Sequence, residues 1–162
     1  MDFVLQTGTI ESTLDEKGRV VIPASMRDRF TGKLVITQGK EECVWIMTPE
    51  KYKSYLRKFR EELDNKEITA EEYEAFQYQL ESTAETREID FKTGRIAIPA
   101  FLRTYAHLNK DCRDCLVVSI RNHLEIWNAE QHKIFMNEVR QINKNTHKKL
   151  LAKVDFFADG EE

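Results

Sequence analysis

LDEKGRVVIPASMRDRF (Leu14–Phe30) and IDFKTGRIAIPAFLRTYA (Ile89–Ala106) are two stretches of one chain that resemble each other over most of their length. Such self-similarity indicates repeated structural units, so it is the first feature to interpret. Five residues recur at a constant offset of 76 positions, and the pairs are Gly18 and Gly94, Arg19 and Arg95, Ile22 and Ile98, Pro23 and Pro99, and Arg27 and Arg103. We therefore predict that the chain contains two copies of one unit.

The similarity continues downstream of each stretch at a larger offset. The apolar segments LVIT (34–37) and LVVS (116–119) follow, and Trp45 and Trp127 stand 82 positions apart. The increase in offset predicts an insertion in the loop before the second apolar segment, because loops tolerate insertions. Each copy is typical of a strand, a turn with glycine, a short strand, a short helix and a two-stranded hairpin.

Proline, threonine and asparagine at particular positions locate the helices and turns. Proline suits the first turn of a helix, and a Thr followed three residues later by Glu forms a capping box. The aromatic residues of the predicted helices are expected to pack in the core. The predicted helix starts are Pro23, Pro99, Thr48 with Pro49, Thr69 with Glu72, and Asn128 with Gln131; the predicted hairpin turns are a loose one through Gly39–Glu42 and a tight one near Arg121 and Asn122.

The two copies are expected to pair with each other inside the chain. One copy buries too little apolar surface to be stable alone and leaves its sheet edges unpaired. We therefore predict an α/β (α+β) fold in which two tandem β units form an internal pseudo-dimer. The predicted domains are 4–52 (first repeat), 53–82 (helical spacer), 83–128 (second repeat), 129–153 (C-terminal helix) and 154–162 (acidic tail, disordered).

Length and composition are typical of a globular protein. The chain has 162 residues, of which 41% are hydrophobic and 33% charged, enough to build a core. No apolar run approaches the roughly 18 residues of a membrane span, and the start MDFVLQTGT lacks the features of a signal peptide. We therefore expect a cytoplasmic protein without a membrane partner, in which Cys43, Cys112 and Cys115 are reduced.

Charge is distributed unevenly along the sequence. The net charge of −3 argues weakly against a nucleic-acid partner, but a partner responds to the local pattern. Residues 15–33 contain five basic and three acidic side chains, and residues 90–113 contain five and two. Residues 50–88 are acidic and residues 130–153 are basic, and solvated helix faces are the simplest interpretation of both segments.

The motifs resemble those of the MraZ family, which belongs to the AbrB-like swapped-hairpin superfamily. The resemblance lies in LDEKGRVVIPASMR, GKEECVWIMTPEKY, GRIAIPAFLRTYA and LEIW and covers about residues 4–150. A single GRxxIP would indicate only some AbrB-like domain, whereas the doubled signature is specific. The resemblance implies two AbrB-like swapped-hairpin repeats, a homo-oligomeric ring, and repression through direct repeats in the promoter of the division and cell-wall gene cluster.

The chain departs from the family pattern at three places. The second signature turn, Asp90–Gly94, has one residue more between its aspartate and its glycine than the first turn, so we expect this loop to be displaced. The segment EAFQYQLESTAE (74–85) lacks the Phe-Phe-small run of the family, which bears on subunit packing. The third departure is CRDC (112–115), which we place in the lengthened loop.

The candidate DNA-binding residues are a lysine and an arginine in each signature turn and an arginine on the following short helix. Arginine can both neutralise phosphates and read base edges. We predict that Arg19 and Arg95 enter a groove. The residues predicted to hold phosphates are Lys17, Lys92, Arg27 and Arg103. The alternative for each is a surface ion pair with an acid such as Asp15 or Asp90. The basic stretch 133–153 is a second candidate for DNA contact, with a solvated helix face as its alternative.

The sequence contains no recognised catalytic motif. A phosphate-binding loop, a dinucleotide fingerprint, G-x-S-x-G and H-E-x-x-H are all missing from it. Asp15 and Asp90 are predicted to hydrogen-bond their own turns rather than to act as catalytic acids. We therefore predict that the protein is not an enzyme and takes no cofactor or small-molecule substrate.

Cys112 and Cys115 form a C-x-x-C pair that could ligate zinc or act as a redox couple. One pair is half of a zinc site, so His107 and His123, or a neighbouring subunit, would have to complete it. The favoured interpretation is two ordinary loop cysteines and no metal.

These features together predict a nucleoid-associated, sequence-specific transcriptional regulator. The resemblance implies that it represses by binding double-stranded promoter repeats, including those of its own gene, as a homo-oligomer. The alternative is a ring-forming scaffold that binds a protein through its acidic helical arm and does not bind DNA. Salt dependence separates the two, because phosphate contacts release counterions.

Overall fold

The structure is a computed structural model that describes residues 7–109 and 113–153. The described residues form two compact units that divide after Ala129. The first unit mixes helices with antiparallel strands, as predicted, and the second is the C-terminal helix. The elements in chain order are β1 (Gly8–Thr13), β2 (Arg19–Val21), α1 (Ala24–Arg27), β3 (Leu34–Gln38), β4 (Val44–Met47), α2 (Pro49–Asp64), α3 (Ala70–Ser82), β5 (Glu85–Arg87), β6 (Arg95–Ala97), α4 (Ala100–Tyr105), β7 (Asp114–Ile120), β8 (His123–Asn128) and α5 (Ala129–Lys153).

Local sequence signals set the starts of the first four helices. α1 and α4 begin directly after Pro23 and Pro99, as predicted. The side chain of Thr48 accepts a hydrogen bond from the first turn of α2, and Thr69 and Glu72 form the predicted capping box of α3. These caps satisfy backbone N–H groups that have no partner within the helix.

Six strands form one antiparallel sheet in the order β1-β7-β8-β4-β3-β5. The first copy contributes β1, β3 and β4, and the second contributes β5, β7 and β8. β1 pairs with β7 of the second copy, and β5 pairs with β3 of the first, while β4 and β8 meet at the centre. Each copy therefore supplies an outer strand to the hairpin of the other.

The remaining strands, β2 and β6, form a separate two-stranded antiparallel ribbon, again with one strand from each copy. The middle residues of the ribbon, Val20 and Ile96, are buried. They belong to one hydrophobic cluster that also includes α1, α4 and the inner face of the large sheet. Both copies thus share a single core.

Helices α2 and α3 pack over the outer face of the sheet. The rings of Tyr55 and Trp45 stack with centroids 5.6 Å apart, and those of Phe59 and Phe76 join the two helices at 3.9 Å. Leu80 of α3 is fully buried. Tyr55, Phe59 and Phe76 of the helical hairpin therefore serve packing, as predicted, whereas Tyr78 of α3 is exposed.

The strand pairing corrects the predicted alignment of β3 with β7. Leu34 and Cys115 both lie in the core cluster, whereas Leu116 is half-buried on the opposite face. Leu34 pairs with Arg87 on β5, and Cys115 pairs with Ser12 on β1, the corresponding outer strand. The counterpart of Leu34 is therefore Cys115 and not Leu116, because a one-residue slip along a strand moves every side chain to the other face.

The predicted equivalence of Trp45 and Trp127 is also wrong. In the two hairpins Ile46 pairs with Ile36, and Ile126 pairs with Val117, with all four residues in the core cluster. Ile46 and Ile126 are therefore counterparts. It follows that Trp127 corresponds to Met47, and Trp45 to Glu125.

The two hairpins differ in their turns, as predicted. Arg121 and Asn122 both have positive φ, 51° and 72°, which gives the tight two-residue turn between β7 and β8. The first hairpin has a longer connection that contains a 3₁₀ turn at Lys40–Glu42. This difference in length shifts the alignment of the last strand in each copy.

The second unit is described by α5. Every residue of α5 from Arg140 to Lys153 is exposed, which agrees with a solvated basic face and leaves its contact with DNA a prediction. The cap formed by Asn128 and Gln131 also stays a prediction, and the tail 154–162 lies outside the described residues. Over the described ranges, no helix combines the length and the apolar character needed to cross a membrane.

Candidate nucleic-acid interface

The ribbon brings the two signature arginines onto one surface. Arg19 pairs with Ala97, and Arg95 pairs with Val21. Because side chains alternate along a strand, these four residues share the outer face of the ribbon, and the residue between them in each strand points into the core. The side chains of Arg19 and Arg95 are 38% and 39% exposed. One arginine from each copy is therefore presented on the same side of the molecule.

Asp15 organises the first signature turn. Its Oδ1 accepts hydrogen bonds from the backbone N–H groups of Lys17 and Arg19, both at 2.9 Å. Its backbone carbonyl accepts from the N–H of Gly18 at 3.0 Å. The prediction that Asp15 hydrogen-bonds its own turn is confirmed, and Lys17 is exposed at the tip of this turn.

The second signature turn is one residue longer and is built differently. Asp90 Oδ1 accepts a hydrogen bond from the backbone N–H of Lys92 at 2.9 Å, which confirms the prediction for this aspartate too. The backbone N–H of Arg95, however, donates to Thr93 Oγ1 at 3.3 Å. The backbone N–H of Asp90 still donates to the carbonyl of Arg95, at 2.8 Å, so the longer turn changes the partner of the Arg95 N–H and not the backbone pairing, and Lys92 is exposed.

A single carboxylate joins the arginines of both copies. Arg19 Nε lies 2.8 Å from Asp15 Oδ2, and Arg95 Nε lies 3.6 Å from the same oxygen. Burial alone would raise the pKa of Asp15, but hydrogen bonds from the backbone and side chain of Arg19 and from the backbone of Lys17 outweigh it and lower this pKa. The carboxylate is thus ionised at neutral pH. Arg19 and Arg95 thus both form the ion pair with Asp15 that the alternative interpretation describes, and their contact with DNA stays a prediction.

Arg27 and Arg103 reach across to the signature turn of the other copy. A Cβ atom on Gly18 would collide with the guanidinium of Arg103, and a Cβ on Gly94 would collide with that of Arg27. Each guanidinium also donates to the backbone carbonyl five residues earlier in its own copy, at 2.6 Å for Arg27 and 3.1 Å for Arg103. Both side chains are half-buried. The two glycines therefore leave room for the arginine of the opposite copy.

Sequence reasoning missed two features of this surface. One is the carboxylate that Arg19 and Arg95 share, and the other is the reciprocal packing of helix arginines on turn glycines. Both depend on the pairing of β2 with β6, which joins segments 76 positions apart and has no local signal. The packing of the arginines on the glycines could have been suspected from the offset of 76 positions that the two glycines share with Arg27 and Arg103.

The predicted C-x-x-C pair is only partly described. Cys112 lies outside the described residues, and Cys115 lies on β7, buried in the core rather than in a loop, which corrects its predicted position. The ring of His123 is hydrogen-bonded between Tyr55 and Glu125. In the part of the chain that the structure describes, no three potential metal ligands come together.

Comparison with known proteins places the chain in a family. The sequence model of the family described as "MraZ protein, putative antitoxin-like" matches residues 5–77 and 80–155, one segment for each copy. A protein of Saccharopolyspora erythraea named Transcriptional regulator MraZ is 35% identical over 131 residues, which cover 81% of this chain and 86% of that protein. Proteins of the same name from Thermobifida fusca and Treponema denticola are 34% identical over 135 residues (83% and 89% of the two chains) and 36% identical over 134 residues (82% and 88%). The chain therefore belongs to the MraZ family.

Proposed function

We propose that this protein is a sequence-specific DNA-binding regulator of transcription that reads DNA with the β2–β6 ribbon. The observation that supports it most is the pairing of the ribbon strands, which brings Arg19 and Arg95 to one exposed surface. The major groove of B-DNA admits a two-stranded β-ribbon, and arginine forms bidentate hydrogen bonds with guanine. The names of the relatives, which are transcriptional regulators, support the same function.

The six predicted residues have separate roles in this proposal. Arg19 and Arg95 contact base edges. The residues that hold phosphates on either side are Lys17, Lys92, Arg27 and Arg103, of which the two lysines are exposed and the two arginines are half-buried. Phosphate contacts position a protein on the duplex, and base contacts specify the sequence.

The resemblance to the family supports the finer parts of the proposal. We propose that the exchanged outer strands make each chain a swapped-hairpin pseudo-dimer and that chains assemble into a homo-oligomeric ring. Because one chain offers few cations, a single subunit binds weakly, and several ribbons on successive direct repeats raise the effective concentration. The proposed site of action is the nucleoid, in the cytoplasm, where the ring represses the division and cell-wall promoter that includes its own gene.

A binding titration tests the proposed reading surface. The wild type and Arg19→Ala/Arg95→Ala are titrated against the DNA upstream of the protein's own gene and against a scrambled duplex. Two bidentate contacts worth about 1–3 kcal/mol each predict a loss of specific affinity of at least about 30-fold. The matched control is Arg57→Ala/Arg60→Ala, which removes the same charge from exposed positions on α2 and should leave binding within about twofold.

The salt dependence of binding tests the two lysines separately. Lys17→Ala/Lys92→Ala should weaken binding to both duplexes alike and reduce the slope of log K against log salt by about 2, because two phosphate contacts are lost. A selective loss of operator binding would instead assign the lysines to base contacts.

The rival function is a scaffold that binds a protein partner without binding DNA. The helical hairpin of α2 and α3 favours it, since this segment is acidic and carries Tyr78, which is 75% exposed. Wild-type protein that fails to prefer the upstream DNA over the scrambled duplex would favour this rival. Specific binding that survives Arg19→Ala/Arg95→Ala would instead move the DNA contact to the basic helix α5.

A further inference from the structure

The two signature turns hold their arginines unequally. Asp15 Oδ2 forms ion pairs with the Nε groups of Arg19 and Arg95, at distances of 2.8 and 3.6 Å. Among the described residues, no cation lies within ion-pair distance of Asp90, whose Oδ1 accepts a backbone hydrogen bond from Lys92. Of the two aspartates in nearly the same motif, Asp15 therefore forms ion pairs with both Arg19 and Arg95, the reading arginines of the proposed function, and Asp90 forms an ion pair with neither.

The ion pairs with Asp15 engage only one edge of each guanidinium. Both contacts use Nε, and among the described residues the Nη groups of Arg19 and Arg95 make no hydrogen bond within the protein. A bidentate contact with guanine needs two parallel N–H donors. The two Nη groups can supply these donors end-on while Nε stays bound to the carboxylate.

We propose that Asp15 is a specificity-determining residue that positions the reading arginines of both copies and keeps them from unspecific phosphate contacts. This inference rests on the proposed function. Asp15 does not itself read a base in this proposal. It acts through Arg19 and Arg95, so that one side chain controls two base contacts.

Two physical effects give Asp15 this role. An unrestrained arginine loses rotamer freedom when it binds, so a carboxylate that already orients it reduces that loss. The carboxylate also competes with DNA phosphates for the guanidinium. Phosphates are present on every duplex, whereas guanine in the right position is present only on the operator, so the competition costs affinity mainly on unrelated DNA.

The asymmetry of the two turns supplies a matched experiment. Asp15→Asn and Asp90→Asn each remove one negative charge from a signature turn, and asparagine keeps an oxygen that can accept the backbone hydrogen bond from Lys17 or Lys92. Only Asp15→Asn removes the contacts with the arginines. Both variants and the wild type are titrated against the upstream duplex and the scrambled duplex at fixed salt, and their thermal stability is compared.

Asp15→Asn should raise the affinity for the scrambled duplex about threefold and lower the ratio of specific to unspecific affinity at least about tenfold. Asp90→Asn should leave that ratio within about twofold. Equal changes in the two variants would mean that net charge alone matters, and a parallel fall in affinity for both duplexes would mean that Asp15 only shapes the turn. Either result overturns the inference.

A second measurement needs no DNA and separates failure of the inference from failure of the proposed function. Hydrogen exchange of the Nε–H groups of Arg19 and Arg95 with solvent is measured by ¹H–¹⁵N NMR in the free protein. Their exchange with solvent should accelerate in Asp15→Asn and stay unchanged in Asp90→Asn. If exchange does not accelerate in Asp15→Asn, the shared carboxylate is refuted. If exchange does accelerate but the wild type does not prefer the upstream duplex, the proposed function is refuted, and the specificity role of Asp15 with it.

Discussion

At the scale of single residues, the glycines of the signature turns meet two requirements at once. Gly18 has φ +78°, a conformation that a residue with a Cβ atom adopts only at a cost. It also lies against the guanidinium of Arg103, which fills the space that a Cβ would need. Gly32 has a similar φ of +72° but open space around its Cα atom. The two positions therefore separate backbone strain from side-chain collision.

Gly18→Ala should destabilise the protein more than Gly32→Ala. The shared cost of positive φ is about 1–2 kcal/mol, and displacing Arg103 adds about 1–3 kcal/mol in the first variant only. The free energy of unfolding from urea titrations measures both losses. Combining Gly18→Ala with Arg103→Ala should recover the added loss as a coupling energy, and equal destabilisation by the two single variants would contradict the packing described for Arg103.

At the scale of elements, a half-buried polar network joins α2 to β8. His123 hydrogen-bonds through Nδ1 with the hydroxyl of Tyr55 at 3.1 Å and through Nε2 with Glu125 Oε2 at 3.0 Å. Trp127 Nε1 donates to Glu125 Oε1 at 2.8 Å. Burial alone would raise the pKa of Glu125, but the hydrogen bonds from His123 and Trp127 outweigh it, and the pKa is lowered. The carboxylate at the position equivalent to Trp45 is therefore a structural anion.

The lowered pKa of Glu125 predicts how stability depends on pH. A carboxyl group whose pKa is lower in the folded state stabilises the fold above its unfolded pKa of about 4.3, and this stabilisation is lost as the pH falls through the folded pKa. Glu125→Gln should cost about 1–3 kcal/mol at pH 7, and the difference from wild type should shrink toward pH 3. Urea unfolding at the two pH values measures it, with exposed Glu74→Gln as the control. A difference that stays constant with pH would argue against an ionised Glu125 in the fold.

The sequence predicted the helices and strands of each copy better than it predicted which strand residues of the two copies correspond. Thr48, Thr69 and the two prolines gave correct helix starts because caps are local interactions. The predicted equivalence of Trp45 and Trp127 was wrong, because two residues of the same type need not lie on the same face of their strands. That face depends on pairing register and turn length, and the two hairpin turns differ in length. The candidate site shows the same limit, since its residue types were found but the carboxylate between the arginines depends on long-range pairing.

At the scale of the whole molecule, neither copy is complete without the other. The first copy alone would leave β1 without β7, β2 without β6, β3 without β5 and β4 without β8. The core cluster would lose about half of its members, since it takes residues such as Leu34 and Ile46 from one copy and Val117 and Ile126 from the other. Exposed strand edges and apolar surface of this kind favour association.

A fragment of residues 1–83 should therefore be unfolded as a monomer. Because the two copies offer similar strands, a second fragment can supply the missing partners, so folding should be coupled to dimerisation and depend on concentration. Circular dichroism and sedimentation over about a hundredfold range of concentration measure this coupling. Adding a fragment of residues 84–153 should give a folded one-to-one complex in preference to the homodimer, because it restores the native partners of all four strands of the first copy. A fragment 1–83 that unfolds cooperatively as a monomer at every concentration would show that the exchanged strands are not required for folding.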